Sequence, residues 1–189
     1  MKEEFTSAEE QEFVRLLKKI QQNEYWVPSL QAWQEVQRTF SRWAAEIVIA
    51  DKDGVGTPRI LLSRYAGEGV PEHRGNFHIA GGFEKFPESI KESCSRIAQN
   101  ELGVDVEYQG VLGIHKWTSE ESPIGSHLLS VFVACRPLSA ITLQENRRLF
   151  TREEMLALGP KDMVQNHPHR AFADQYLKQL ESGDPVSPL

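Results

Sequence analysis

Apolar and polar positions along the chain alternate between two periods. Phe13, Leu16, Leu17 and Ile20 repeat at i, i+3, i+4 and i+7, which predicts an amphipathic helix from about Ser7 to Gln22. Ser7 and Glu10 read as its capping box. Pro28 and Ser29 restart the chain into a second, shorter helical pattern carrying Leu30, Trp33 and Val36; Trp26 and Trp33 read as core or lid aromatics. From about Thr39 the period shortens. Trp43 to Ala50 (WAAEIVIA) and Arg59 to Ser63 (RILLS) are β-type runs joined by DKDGVGTP, so a hairpin turning at Asp53-Gly54 is expected. Phe77 to Ala80 reads as a third strand that runs into Gly81-Gly82. Further strands are expected at Val104 to Tyr108, Gly110 to Trp117, Leu128 to Cys135 and Arg148 to Phe150. A capping box of Thr151 and Glu154 then opens a short helix. A last helix from Pro168 to about Glu181 carries Phe172, Tyr176 and Leu180 on one face and stops at Gly183.

Between the third and fourth strands lies the stretch that organises the chain, GGFEKFPESIKESCSRIAQNELGV, from Gly81 to Val104. It reads as a glycine loop followed by one helix, Glu88 to Leu102, with Gly103 as its stop. Ile90, Cys94 and Ala98 form the expected buried stripe, with Ile97 at its edge. Gly81 and Gly82 allow the backbone close to a ligand, because no side chain blocks the approach. Strands and helices mixed in this order imply an α+β (α/β) sandwich of three layers, α/β/α. The expected organisation is a helical extension over residues 1–38, a domain over 39–183 and a loose tail over 184–189.

Composition narrows the partners. The chain has 189 residues, 40% hydrophobic content and a net charge of −6, so broad attraction to nucleic acid or to an anionic membrane is not expected. An anionic ligand would need local help from arginines or a divalent cation. Cys94 and Cys135 lack metal-site spacing, and two cysteines in a chain of this size suggest free thiols in a reducing compartment. The acidic start MKEEFTSAEEQEF has no apolar core of a signal peptide, and no run reaches membrane-spanning length. A cytoplasmic protein is the expectation.

The spacing inside the central stretch adds chemistry. Five residues separate Gly82 from Glu88, seven separate Glu88 from Arg96, and Glu101 and Gly103 follow. This arrangement resembles the Nudix hydrolase superfamily, whose box reads G-x5-E-x7-R-E-U-x-E-E-x-G-U, with U an aliphatic residue. Gly82, Glu88, Arg96, Ala98, Glu101, Gly103 and Val104 match, and the strand order from Thr39 to Leu158 fits that fold. The first 38 residues correspond to no part of it. Three box glutamates converge on one helix face as hard oxygen ligands for magnesium or manganese, yet two of those positions are Ile97 and Asn100 here. The degenerate box is most similar to the GDP-mannose mannosyl hydrolase branch, in which only the last glutamate persists.

That branch's pattern implies one Mg2+ (or Mn2+) held by Glu101, a carbonyl of Gly81 or Gly82, and Gln144. Its catalytic base falls on Glu145, across a one-residue gap. The same resemblance implies water attack at a sugar carbon of a nucleoside diphosphate-linked substrate. Arg96 is expected to pair with the loop and fix its shape, with Glu88 and Gly103 as structural box residues. Arg64, His115 and Lys116 are candidates for contact with the diphosphate. His73 and His78 flank the loop entry, Glu120 and Glu121 are reserve carboxylates, and His167 and His169 lack a third ligand at fixed spacing. The expected partner is a small diphosphate compound, with a homodimer as a further possibility. The competing expectation is a Nudix-fold module that binds a nucleotide-like ligand or protein partner without cutting.

Overall fold

A computed structural model describes residues 6–22, 29, 31–32, 35, 42–65, 74–85, 87–118, 121, 128–163 and 167–186. The expected second helix at Pro28, Leu30, Trp33 and Val36 falls largely outside these residues, as do Trp26, Thr39, His73 and Glu120. The chain divides into two compact units, Met1–Val36 and Gln37–Leu189. In the first, α1 spans Ser7–Gln22. Its reciprocal cap lies one residue earlier than the sequence suggested: Thr6 N–H donates to Glu9 at 2.8 Å, and Glu9 N–H donates to Thr6 Oγ1 at 3.3 Å. Phe13, Leu16 and Leu17 keep 39–43% of their surface exposed.

The second unit is built on a seven-stranded mixed sheet. Its strands are β1 (Arg42–Lys52), β2 (Pro58–Arg64), β3 (Phe77–His78), β4 (Ala80–Phe83), β5 (Val106–Lys116), β6 (Leu128–Pro137) and β7 (Arg147–Thr151). The order β3-β2-β1-β6-β5 places β1 at the centre, parallel to β6, with β4 also paired to β1 and β7 to β2. Residues 44–50 of β1 are all buried, which explains their nearly unbroken apolar run: a strand covered on both faces cannot alternate with water. The β1–β2 turn closes with Asp53 N–H on the Thr57 carbonyl and Gly56 N–H on the Asp53 carbonyl, each at 3.0 Å. Its left-handed residue is Gly56, at φ 89°, and not Gly54. The two strands expected from Val104 to Trp117 are one strand, β5, with register shifts near Gly110 and Gly113.

Helices cover both faces. On one side α2 (Ile90–Ile97) packs Cys94 and Ile97 against Ala45, Ile47, Ile49, Val133 and Cys135. On the other, α4 (Pro168–Ser182) packs Ala173, Tyr176 and Leu177 against Val48, Ile60, Leu62, Phe132 and Phe150. The short α3 (Arg152–Leu156), capped by Thr151 and Glu154 as its sequence implies, adds Met155 to that second core. Burial of these aliphatic and aromatic side chains, about 1.5–3 kcal/mol each, holds the layers together. Gly113 admits Phe172, whose ring stacks on Phe132 at 4.0 Å; a Cβ there would lie 2.6 Å from Phe172. Val186, beyond α4, packs back against the same core. Among the described residues no helix is long and apolar enough to cross a membrane.

Candidate functional site

The glycine loop belongs to β4. Gly81 pairs with Glu46 of β1, and Gly82 with Ala45. A Cβ on Gly81 would sit 1.9 Å from Glu46 Oε2, and one on Gly82 would sit 3.3 Å from Ile97 Cγ1. Gly81 therefore has to be glycine: a carboxylate lies where any other side chain would begin. Beyond the loop, Ser89 caps α2, with a capping box to Glu92. Glu88, one residue earlier, receives Arg96 Nε at 2.6 Å, Arg96 Nη2 at 2.7 Å and Ser93 Oγ at 3.0 Å. Arg96 Nη2 also donates to the Phe83 carbonyl at 3.0 Å. The Arg96 guanidinium holds the Glu88 carboxyl below its ordinary range. This bidentate pair braces the loop against the helix; the guanidinium of Arg96 is committed to that brace.

At Ala98 the helix widens into a π turn, Ala98–Leu102, which ends at left-handed Gly103, φ 58°. Ile97 is 2% exposed and belongs to the core under α2, not to its edge, whereas Asn100 is exposed. The two positions at which the resemblance implies carboxylates thus differ. One position is sealed in the apolar core, and the other faces solvent. The Gly81 backbone lies close enough to the Glu101 carboxyl on the π turn to draw its pKa down. The residue keeps exposed surface, yet the protein around its carboxyl pushes it up to about 7, against the downward pull of Gly81 and Arg96.

Glu46 was not singled out from sequence. It is 8% exposed, and burial pushes its carboxyl up to about 8, opposed by the Ser130 hydrogen bond and reinforced by the charge of Glu101. Trp117 Nε1 donates to Ser130 Oγ at 2.8 Å, so the Ser130 hydroxyl donates onward to Glu46 Oε1 at 3.1 Å. Ile79 N–H donates to His169 Nδ1 at 3.3 Å, which leaves the His169 proton on Nε2, 3.6 Å from Glu46 Oε2. Glu46 and Glu101 thus approach Gly81 from two elements, a strand and a helix end. A single acidic residue in the apolar run AAEIVIA was the signal available for it.

The other sequence candidates lie in separate groups. Arg64 Nη1 donates to the Gly75 carbonyl, and its guanidinium lies 4.2 Å from the centre of the Phe77 ring. It shares an open depression with Gln144, Glu145 and Asn146. Gln144 and Glu145 are exposed, and among the described residues their side chains show no hydrogen bond to Glu101. His115 lies 3.2 Å from Glu121 and edge-on to Trp117, with ring centres 5.2 Å apart. Lys116 is exposed on the next position of β5. His167 and His169 sit 4.6 Å apart, and His169 lies 6.1 Å from His78. Among the described residues no three His, Cys, Asp or Glu side chains converge as a metal group.

The donors that do converge are hard oxygens: the Glu101 and Glu46 carboxylates beside the backbone of Gly81. This set suits a single magnesium or manganese ion. The rest of its coordination would come from backbone carbonyls, substrate or water. Ile97, where the resemblance implies a further carboxylate, lies in the core and offers no oxygen to a second cation.

Neither a family model nor a curated protein matches this chain. Solved structures do. A NUDIX hydrolase from Nitrosomonas europaea superposes with a TM-score of 0.58 at 15% identity, covering 77% of this chain and 75% of that one. An ADP-ribose pyrophosphatase from Streptococcus suis gives 0.52 at 20% identity, covering 79% and 97%. A UDP-X diphosphatase gives 0.54 at 16% identity and covers 98% of this chain and 89% of its own. The chain has the Nudix hydrolase fold.

Proposed function

We propose that the protein is a Nudix-type hydrolase of a nucleoside diphosphate-linked compound, a nucleotide sugar being favoured, that works with a single divalent cation. The observation that carries this reading is the meeting of Glu46 and Glu101 at Gly81, two carboxyls raised by their surroundings. Titratable groups displaced in this way cluster at working sites. The similarity to a UDP-X diphosphatase along 98% of this chain supports the substrate class.

Glu101, the Gly81 or Gly82 carbonyl and Gln144 would hold the cation, with Glu46 as a further carboxylate beside it. Bound there, the cation would neutralise the diphosphate and make it a better leaving group. The protein's own groups do the remainder. Arg96 and Glu88 keep the glycine loop in shape, so that the Gly81 backbone faces Glu101. Arg64, stacked on Phe77 beside Gln144 and Glu145, offers its guanidinium to a phosphate oxygen. Glu145, exposed in the same depression, takes the proton of the attacking water. Ser130 and His169 fix the plane of the Glu46 carboxylate.

A second reading has its own observation. Ile97 is sealed in the core and Asn100 faces solvent, so the fold can bind a nucleotide-like ligand without cutting it. A turnover screen over nucleotide sugars, dinucleotides and nucleoside triphosphates, with Mg2+ or Mn2+ and with Glu101→Gln as control, separates the two. Hydrolysis of a nucleotide sugar that disappears in Glu101→Gln is expected. Turnover that survives Glu101→Gln sinks the mechanism; no turnover, with thermal stabilisation by ligand that ignores metal, favours the binding module.

A further inference from the structure

Arg147 joins two parts of the proposed site, and the box motif makes no reference to it. Its Nη2 donates to the Glu101 carbonyl at 2.9 Å, and its Nη1 donates to the Leu102 carbonyl. These two carbonyls end the π turn, where the left-handed step at Gly103 leaves no later helical N–H to meet them. From its backbone, Arg147 N–H donates to the Gln144 carbonyl at 2.9 Å, and Arg64 N–H donates to the Asn146 carbonyl at 2.8 Å. Strand β7 begins at this residue, with Arg147 paired to Ser63. Arg147 Nε is buried without a hydrogen-bond partner. One residue thus closes the Gln144–Arg147 turn with its backbone and grips the Glu101 turn with its side chain.

We infer that Arg147 is a positioning residue that sets the placement of Glu101 relative to the Gln144–Glu145 loop, and through it the affinity of the site for a divalent cation. The inference rests on the proposed reading of Glu101 and Gln144 as ligands. Its physical basis is a cation held at a helix C-terminus, where the backbone dipole favours positive charge. A guanidinium also offers two donors in a fixed fork, which a lysine ammonium cannot reproduce. The split of roles explains how a box with one surviving carboxylate keeps its last ligand in register with a loop more than 40 residues later in the chain.

The test is a titration of the full chain with Mn2+ alone, following free Mn2+ by electron paramagnetic resonance, with melting temperatures recorded alongside. Arg147→Ala is expected to weaken Mn2+ binding about 10- to 100-fold, the usual effect of losing a group that orients a ligand. Arg147→Lys should fall between Ala and the wild type, keeping the charge and losing the fork. Arg136→Ala, which removes an exposed ion pair with Glu107, should leave the affinity unchanged. Wild-type affinity in Arg147→Ala and Arg147→Lys overturns the inference, as does an equal loss in Arg136→Ala. Should Arg147→Ala fail to fold, Arg147→Lys decides alone. A wild type that binds no Mn2+ removes the functional reading and this inference together; binding that is lost in Glu101→Gln but indifferent to Arg147 removes only the inference.

Discussion

Two kinds of carboxylate lie beside the glycine loop, and their environments push them in opposite directions. Glu88 is gripped by a bidentate arginine and a serine, and its carboxyl is held low. Glu46 and Glu101 meet at Gly81, and the protein packed around them raises both, to about 8 and about 7. A carboxylate whose lone pairs are already filled by arginine shapes the site; carboxylates withdrawn from water without a bidentate arginine remain available to a cation. The difference separates scaffold from chemistry within one short stretch of chain.

The largest expected effect comes from adding a carboxylate where the protein has no place for one. Ile97→Glu introduces the residue type that the box resemblance implies, but the side chain would enter a position 2% exposed among Ala45, Ile47 and Ile49. An unpaired carboxyl there should destabilise the fold by about 3 kcal/mol or more, read by urea unfolding. Asn100→Glu, on the exposed side, should fold normally. Equal tolerance of both substitutions would break the distinction between a sealed and an open ligand position.

Next is Arg96→Ala, which strips the Glu88 carboxylate of its partner and should cost about 2–3 kcal/mol. Because the Glu88 carboxyl is lowered in the fold, its contribution is present above its ordinary value of 4.5 and lost as pH falls through the lowered one. Wild type should therefore lose stability faster than Arg96→Ala on acidification below about pH 4.5, measured as melting temperature. Glu46 has the opposite sign. Its proton contributes stability that is full below 4.5 and lost as pH rises through about 8. In chelator-treated protein, Glu46→Gln should remove part of the decline in melting temperature between pH 5 and pH 8. A wild type with a flat profile over that window would contradict the raised carboxyl. This is the smallest effect of the series, since Ser130 and Glu101 act on the same group.

Much of the scaffold was legible in the sequence, because it is local. The capping box at Thr151, the stop at Gly183 and the spacing from Gly82 to Gly103 all lie within a few helical turns. Errors came where tertiary contacts outweigh local pattern. Ser7 and Thr6 are both competent caps, and α1 uses Thr6. Ile97 looked peripheral by periodicity, yet Gly82 leaves a space that it fills. The buried cluster around Glu46 was less visible. Glu46, Ser130, Trp117 and His169 come from β1, β6, the end of β5 and α4, and only the sheet order brings them together. No spacing rule links residues so far apart, and Arg147 was likewise hidden at the start of a short strand.

The central claim is that one cation binds where Glu101 meets Gly81. Calorimetric titration with Mn2+ tests it most directly, comparing wild type with Glu101→Gln under identical salt and pH. The account predicts one Mn2+ per chain in the wild type and none in Glu101→Gln, with both proteins melting normally. Binding of equal strength and stoichiometry in the two proteins would contradict it.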